Sequence, residues 1–407
     1  MNSILLHKKP GKVSGEIFIS GSKSESNRLL ILNHLFDNKI NIENLSDAED
    51  TRLLQKALQS NSVEIDIHHA GTAMRFLAAY LAIQENRETI LTGSERMKQR
   101  PIGILVNALN LLGAEISFLE KNGFPPLQIK GKKITKSFVE LDAGISSQFI
   151  TALMLIAPKL ENGLKIKLNR KATSLPYLAM TAEIMKKLGI KIEQNQGEFH
   201  IFPKTELGSH KFMVESDWSS ASYFYSLAAL SETAEIKIHS FSKDSLQGDS
   251  EVVNIYRDCF GVNTKFEENT VILIKNPDRE LKPVRIDLNG TPDIAQTIAV
   301  TCVGLKIKCV LTGLSTLKIK ETDRLAALKN ELKKIGALSK ITDDSLEITG
   351  FREPDRIPVI KTYGDHRMAM SFAPFCLLSD LEIENPEVTD KSYPAFWEDF
   401  FRIVEEN

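Results

Sequence analysis

The sequence predicts an α/β repeat protein of six units, three in each of two domains. Three observations predict it. Six short polar motifs each open an apolar, small-residue-rich helical segment, and from the second onward they recur roughly every 75 residues, the mark of an internal repeat. A second helical series alternates with the first. Short apolar runs after several of the second helices read as strands.

The first series opens at Ser24-Glu25-Ser26-Asn27-Arg28, Ala70-Gly71-Thr72-Ala73, Ser146-Ser147-Gln148, Ser219-Ser220-Ala221-Ser222, Thr291-Pro292-Asp293 and Gly364-Asp365-His366-Arg367. Its segments are apolar almost all round, as over 150–156 and 294–303, which predicts burial. The second series is predicted over 51–59, 102–112, 178–188, 251–260, 324–335 and 395–404. Those segments carry Lys, Glu and Asp along one side, so they are expected at the surface. Several stop at a glycine: Leu112-Gly113, Leu188-Gly189, Phe260-Gly261 and Ile335-Gly336. Glycine after the last periodic residue is the usual left-handed helix stop. Strands are expected over 114–119, 190–193 and 271–274.

A chain of 407 residues usually forms two or more domains, and 42% hydrophobic content supports full cores. The polar stretch near Glu215–Asp217 reads as one hinge and Ser20-Gly21 as a second crossing. That gives one domain over 21–215 and a discontinuous one over 1–20 plus 216–407. A net charge of −2 gives no bulk reason to expect nucleic acid binding. No apolar run is long enough to span a membrane. Residues 1–15 mix Lys, His and Gly and do not read as a signal peptide. The four cysteines, Cys259, Cys302, Cys309 and Cys376, lack C-x-x-C spacing and read as free thiols of a cytoplasmic protein. The eight histidines and the cysteines show no ligand spacing, so no metal and no cofactor are expected. No exposed apolar helix stripe stands out, and the expected state is a monomer.

The chemistry is concentrated in the polar motifs. A helix N-terminus carries free N–H groups and the positive dipole end, which favour anions. Six that point to one place suit phosphates and carboxylates. Lys23, Ser24 and Arg28 combine hydroxyl and cation at a helix start after Gly21. The P-loop pattern is absent there, which excludes that type of NTPase. Gly71 stands where backbone must approach something closely, although plain helix packing explains it equally well. Arg96, Lys98 and Arg100 crowd three cations before Pro101. Ser146, Ser147 and Gln148 offer more polar groups than a cap requires. Lys320-Glu321-Thr322-Asp323-Arg324 places an arginine in the first turn of a helix, where the dipole opposes it. That points to a ligand anion as its partner, with a capping box on Thr322 as the plain alternative. Arg367 repeats the anomaly, and Lys391-Ser392-Tyr393-Pro394 precedes the last helix as a turn.

Lys320-Glu321-Thr322-Asp323-Arg324-Leu325 and Asp365-His366-Arg367-Met368-Ala369-Met370 resemble two signatures of the 5-enolpyruvylshikimate-3-phosphate synthase family. The remaining motifs follow in that family's order, from S-K-S-x-S-N-R through A-G-T-A-M-R, R-M-K-x-R-P, S-S-Q-F, S-S-A-S-Y-F and P-D to K-S-Y-P. The resemblance runs from about Ser22 to Pro394 and is specific in combination. It implies a two-domain inside-out α/β fold of the enolpyruvyl transferase type, with six βαβαββ units, three per domain, closing over a cleft. It also implies carboxyvinyl transfer from phosphoenolpyruvate to the 5-hydroxyl of shikimate 3-phosphate, with loss of phosphate. By position, Lys23, Ser24, Arg28, Ser146, Ser147, Gln148, Ser174, Asp293, Thr316 and Lys320 would hold shikimate 3-phosphate. Lys23, Gly71, Arg96, Gln148, Arg324, Arg367 and Lys391 would hold phosphoenolpyruvate. Asp293 would be the formal base and Glu321 would stand near the vinyl carbon, with Lys23 as an acid toward the bridging oxygen. Carboxylates among so many cations suit a base better than an acid, which leaves the donor of the vinyl proton open.

The sequence departs from the family pattern at four places. His69 stands where Asn is frequent, Phe76 where Pro is common, Thr316 where Asn often meets the shikimate ring, and Leu175 where Arg is frequent. Inhibition by glyphosate is expected on the ground that Gly71 leaves room beside the phosphoenolpyruvate pocket. The related transferase that acts on UDP-N-acetylglucosamine carries a reactive cysteine on a loop that here, over 95–101, has none. A degenerate anion-binding relative would be expected to have lost a proton carrier, yet Lys23, Asp293 and Glu321 are all present. A solenoid-like scaffold would have no need of cations at its helix heads.

Overall fold

The computed structural model describes every residue except 1, 10, 142–145, 170–174, 196, 355 and 406–407. Contacts divide the chain into two compact units, Met1–Ser20 with Glu215–Asn407, and Gly21–Val214.

One supersecondary unit recurs. In the Gly21–Val214 unit, strand Glu64–Asp66 leads to helix Gly71–Ala82, strand Glu88–Thr92, helix Gly103–Leu112 and the strand pair Glu115–Phe118 and Leu127–Lys130. The first two strands pair in parallel, and the last two complete the sheet antiparallel. The same order and pairing return from Phe138–Leu141 to Glu198–Ile201. They return again from Val284–Asp287 to Leu346–Phe351 in the other unit. A further copy is split by the chain's path. Strand Lys12–Ile17 pairs in parallel with Thr233–His239, far along the sequence, with Lys12 opposite Thr233 and Ile17 opposite Ile238. Likewise His210–Met213 pairs in parallel with Ile40–Glu43, and Ser3–Leu6 pairs antiparallel with Leu381–Glu384.

The helices that open with polar motifs are the buried ones. Trp218–Leu230 is buried along its whole length, and Ala295–Gly304 over all but its last residue. The three such helices of each unit pack on one another. In the Glu215–Asn407 unit their crossings are lined by small hydroxyl residues. Ser222 Oγ lies 3.1 Å from Thr297 Oγ1, and Thr297 Oγ1 lies 3.3 Å from Ser371 Oγ. Thr301 also donates to the Thr297 carbonyl at 2.8 Å, the local bond that lets a buried hydroxyl sit inside a helix. Amphipathic helices such as Glu49–Gln59 and Arg324–Lys334 keep one polar side outward.

The four expected glycine stops, Gly113, Gly189, Gly261 and Gly336, all take positive φ. One element differs in kind from expectation. The segment expected as one helix over 251–260 is a 3-10 turn at Gly248–Glu251, an α turn at Val252–Ile255 and a π turn at Tyr256–Phe260. The wide turn seats Tyr256 in the core, with its hydroxyl 2.8 Å from Thr301 Oγ1. Helix His366–Phe372 is short because Pro374 supplies no N–H, and the chain continues as a 3-10 turn over Ala373–Leu377. No helix among the described residues is long and apolar enough to cross a membrane.

Candidate active site

In the Glu215–Asn407 unit the site is built at three helix starts. Asp323 caps helix Arg324–Lys334 by accepting from Ala326 N at 3.1 Å, which fixes Arg324 as its first residue. Asp323, not Thr322, is therefore the cap. Asp365 caps His366–Phe372 by accepting from Arg367 N at 2.9 Å. Asp293 lies in the 3-10 turn Pro292–Ile294 that leads into Ala295–Gly304.

These caps bring Lys320, Glu321, Arg324, Arg367, Asp293 and Lys391 together. Arg324 Nε donates to Asp365 Oδ2 at 2.6 Å, Nη2 to Glu321 Oε2 at 2.8 Å and Nη1 to Asp293 Oδ1 at 3.3 Å. The partner missing from the sequence argument is thus supplied by the protein's own carboxylates, which corrects the inference that a ligand anion alone would satisfy it. Burial alone would depress the Arg324 guanidinium, and Asp365, Glu321 and Asp293 more than reverse that, raising its pKa. Arg367 Nη2 meets Asp293 Oδ2 at 3.0 Å, and its Nη1 donates to Tyr223 Oη at 3.4 Å. Burial pushes the Tyr223 phenol up to about 12, against the pull of Arg367 and Arg324. Glu321 Oε1 pairs with Lys391 Nζ at 3.3 Å, and Lys320 Nζ lies 3.5 Å from Asp293 Oδ1. The Lys320 side chain is 24% exposed by area, yet its ammonium is crowded by protein. Desolvation is the largest cause and lowers its pKa, against the pull of Asp293. Thr316 stands in the 3-10 turn Ser315–Ile319, its hydroxyl buried without a hydrogen bond.

In the Gly21–Val214 unit, Lys23 begins helix Lys23–Leu35 and its Nζ lies 3.3 Å from Asp50 Oδ2. Arg28 lies one turn on and is buried. Its Nε donates to Thr181 Oγ1 at 2.8 Å, its Nη1 to the Ser24 carbonyl at 2.6 Å and its Nη2 to the Tyr177 carbonyl at 3.3 Å. Its guanidinium carbon also stands 5.7 Å from the centre of the Phe76 ring, one of the four departures. Burial, the largest cause, lowers Arg28 to about 10 despite Tyr177 and Glu25. A cation held by neutral oxygens in so dry a place favours an incoming anion.

Gly71 begins helix Gly71–Ala82. A Cβ there would meet Arg100 Nη1 at 2.5 Å, so the space expected beside Gly71 is filled by a guanidinium and is not open. Arg75, one turn further, ties this helix to the cationic loop through the Pro101 carbonyl at 3.2 Å and Met97 Sδ at 3.5 Å. Arg96 is half-buried, with Nη1 3.5 Å from Gln99 Oε1. His69 Nδ1 lies 2.7 Å from Ser94 Oγ, the hydroxyl that caps that loop's short helix. Ser146 caps Ser147–Ile156 by accepting from Gln148 N at 3.4 Å, and Gln148 Nε2 reaches Thr72 Oγ1 at 3.2 Å. Ser147 is buried at the same helix head. Ser174 lies outside the described residues.

Asp50, Arg75, Tyr223 and Asp365 join these clusters without having been singled out, whereas Arg100 was one of the three cations noted before Pro101. Arg75, Tyr223 and Asp365 sit inside quoted motifs, so the signal was present, but nothing in the sequence marks Asp50. Among the described residues no group of three or more His, Cys, Asp and Glu stands close enough to hold a metal ion.

Helix heads rich in paired cations and carboxylates define a protein built to handle small polyanions. The family model described as EPSP synthase (3-phosphoshikimate 1-carboxyvinyltransferase) matches residues 7–67 and 54–400. A 3-phosphoshikimate 1-carboxyvinyltransferase of Bacteroides fragilis is 44% identical over 393 residues, covering 96% of this chain and 95% of that one. One from Colwellia psychrerythraea is 36% identical over 423 residues, covering 97% of each. The solved structure of EPSP synthase from Acinetobacter baumannii superposes with a TM-score of 0.78 at 21% identity, covering 99% of this chain and 98% of that one, and shows the same fold. The chain belongs to the EPSP synthase family.

Proposed function

We propose that this chain transfers the carboxyvinyl group of phosphoenolpyruvate to the 5-hydroxyl of shikimate 3-phosphate and releases phosphate. It would act as a monomeric cytoplasmic enzyme of chorismate and aromatic amino acid biosynthesis. The observation that carries the proposal is the Arg324–Asp293–Arg367 bridge, flanked by Glu321 on Lys391. It sets two cation-paired carboxylates among cations at helix heads, which suits both anion binding and proton movement.

Arg324, Arg367, Lys391 and Arg96 hold the carboxylate and phosphate of phosphoenolpyruvate beside Gly71. Lys23, Ser24, Arg28, Ser146, Ser147 and Ser174 hold shikimate 3-phosphate, with Thr316 and Lys320 at its ring, and Gln148 meets both substrates. Asp293 takes the proton of the 5-hydroxyl as that oxygen bonds to the central carbon of phosphoenolpyruvate. The vinyl carbon gains a proton, giving a tetrahedral adduct with a methyl group. In the second step Glu321 takes a proton from that methyl group and the bond to the phosphate oxygen breaks. Lys23 donates to the bridging oxygen as phosphate leaves. In the first step Glu321 enters protonated and gives that proton to the vinyl carbon, and after turnover the proton taken up by Asp293 replaces the one Lys23 gave to the phosphate. Holding both substrates in line can supply about 7–11 kcal/mol of the barrier.

Phosphate release tests the proposal. Release that requires both substrates, and that falls by about a hundredfold or more in Glu321→Ala, is the expected result. Release from phosphoenolpyruvate alone, or no release, would overturn it.

A further inference from the structure

We propose that Glu331 is a positioning residue that sets the spacing of Arg324 and Arg367 by clamping the turn between their helices. The inference deepens the proposed function and rests on its assignment of those arginines to phosphoenolpyruvate.

Glu331 is out of place by local rules. It lies near the C-terminal end of helix Arg324–Lys334, where the dipole disfavours an acid, and it is fully buried. A buried carboxylate persists only when paired and hydrogen-bonded. Here three donors satisfy it: Lys334 Nζ at 2.5 Å, the backbone N of Lys361 at 2.9 Å and Tyr363 Oη at 2.8 Å. Two of the three belong to the segment that enters helix His366–Phe372. Lys334 adds a further bracket by donating to the Val359 carbonyl at 2.7 Å.

That segment needs holding. Tyr363 and Gly364 take φ of 55° and 66°, two successive left-handed residues of which one bears a side chain. Immediately after them comes Asp365, which caps the helix and grips Arg324. Arg324 and Glu331 are separated by 331 − 324 = 7 residues, close to two turns, so they share one helix face. A single face thus grips both ends of the turn: Glu331 at Lys361 and Tyr363, Arg324 at Asp365. The turn then fixes where Arg367 stands opposite Arg324 across Asp293. Burial and, second, the Glu331 carboxylate push the Tyr363 phenol up to about 12, and its partial exposure lets that be titrated.

Steady-state kinetics of Glu331→Gln and of the milder Tyr363→Phe test the clamp. Loss of a hydrogen bond to a charged group predicts a KM for phosphoenolpyruvate raised about tenfold in Glu331→Gln and less in Tyr363→Phe. The KM for shikimate 3-phosphate and kcat should stay within about twofold, the pattern of lost ground-state binding. An unchanged KM for phosphoenolpyruvate in both variants, with only a lower Tm, would overturn the clamp and leave Glu331 a stabilising residue. Absence of turnover in the wild type would instead overturn the proposed reaction. Calorimetric titration with phosphoenolpyruvate then reads the clamp: about tenfold weaker binding in Glu331→Gln supports it, and equal binding refutes it.

Discussion

At Gly71 a methyl group would enter the space of the Arg100 guanidinium, and the far end of a long side chain is what must yield. Gly71→Ala should therefore fold while displacing Arg100 beside the proposed phosphoenolpyruvate pocket. A KM for phosphoenolpyruvate raised about tenfold is expected, with that for shikimate 3-phosphate little changed and glyphosate inhibition weakened. An unchanged inhibition constant would place Gly71 away from that pocket. Lys320 gives a pH test. Burial lowers its pKa, so the ammonium loses its proton at a lower pH than an ordinary lysine. Binding that needs the cation is present below that pKa and lost as pH rises through it. The KM for shikimate 3-phosphate should thus climb on the alkaline side before the ordinary lysine range near 10.5, and Lys320→Arg should remove that climb. A flat KM up to that range in the wild type would separate Lys320 from the substrate.

At the scale of elements, the hydroxyl seam through Ser222, Thr297 and Ser371 joins three buried helices. Thr297→Val keeps the shape of the side chain and takes away its hydroxyl. A loss of about 1–3 kcal/mol in denaturant-induced unfolding is expected, and no loss would mean the seam is only packing. Much of this level was legible in the sequence. The all-round apolar pattern of 294–303 marked a buried helix, and glycines such as Gly113 and Gly261 marked helix ends because only a residue without Cβ takes those angles freely. The π turn at Tyr256–Phe260 was not legible, because apolar periodicity does not distinguish a wide turn from an ordinary one. At the site, motif order located Asp293, Glu321, Arg324 and Arg367. It did not reveal that Arg324 is already held by three carboxylates, or that Asp50 faces Lys23, because ion pairs between distant segments leave no local pattern.

At the scale of the whole molecule, the chain leaves one unit after its first strands, builds the other, and returns. Strand Lys12–Ile17 brings Val13 and Ile17, both buried, into a sheet whose other strands lie after residue 230. Removing residues 1–20 should therefore weaken the Glu215–Asn407 unit and spare Gly21–Val214. Limited proteolysis should cut first after residue 215, and first cuts within 21–214 would contradict this division. The central claim is transfer by addition and elimination, in which the vinyl carbon becomes a methyl group and then loses a proton. Proton NMR of the turnover product formed in deuterium oxide tests it most directly. Deuterium in the product's vinyl methylene is the predicted result; a fully protonated methylene after complete turnover would contradict it.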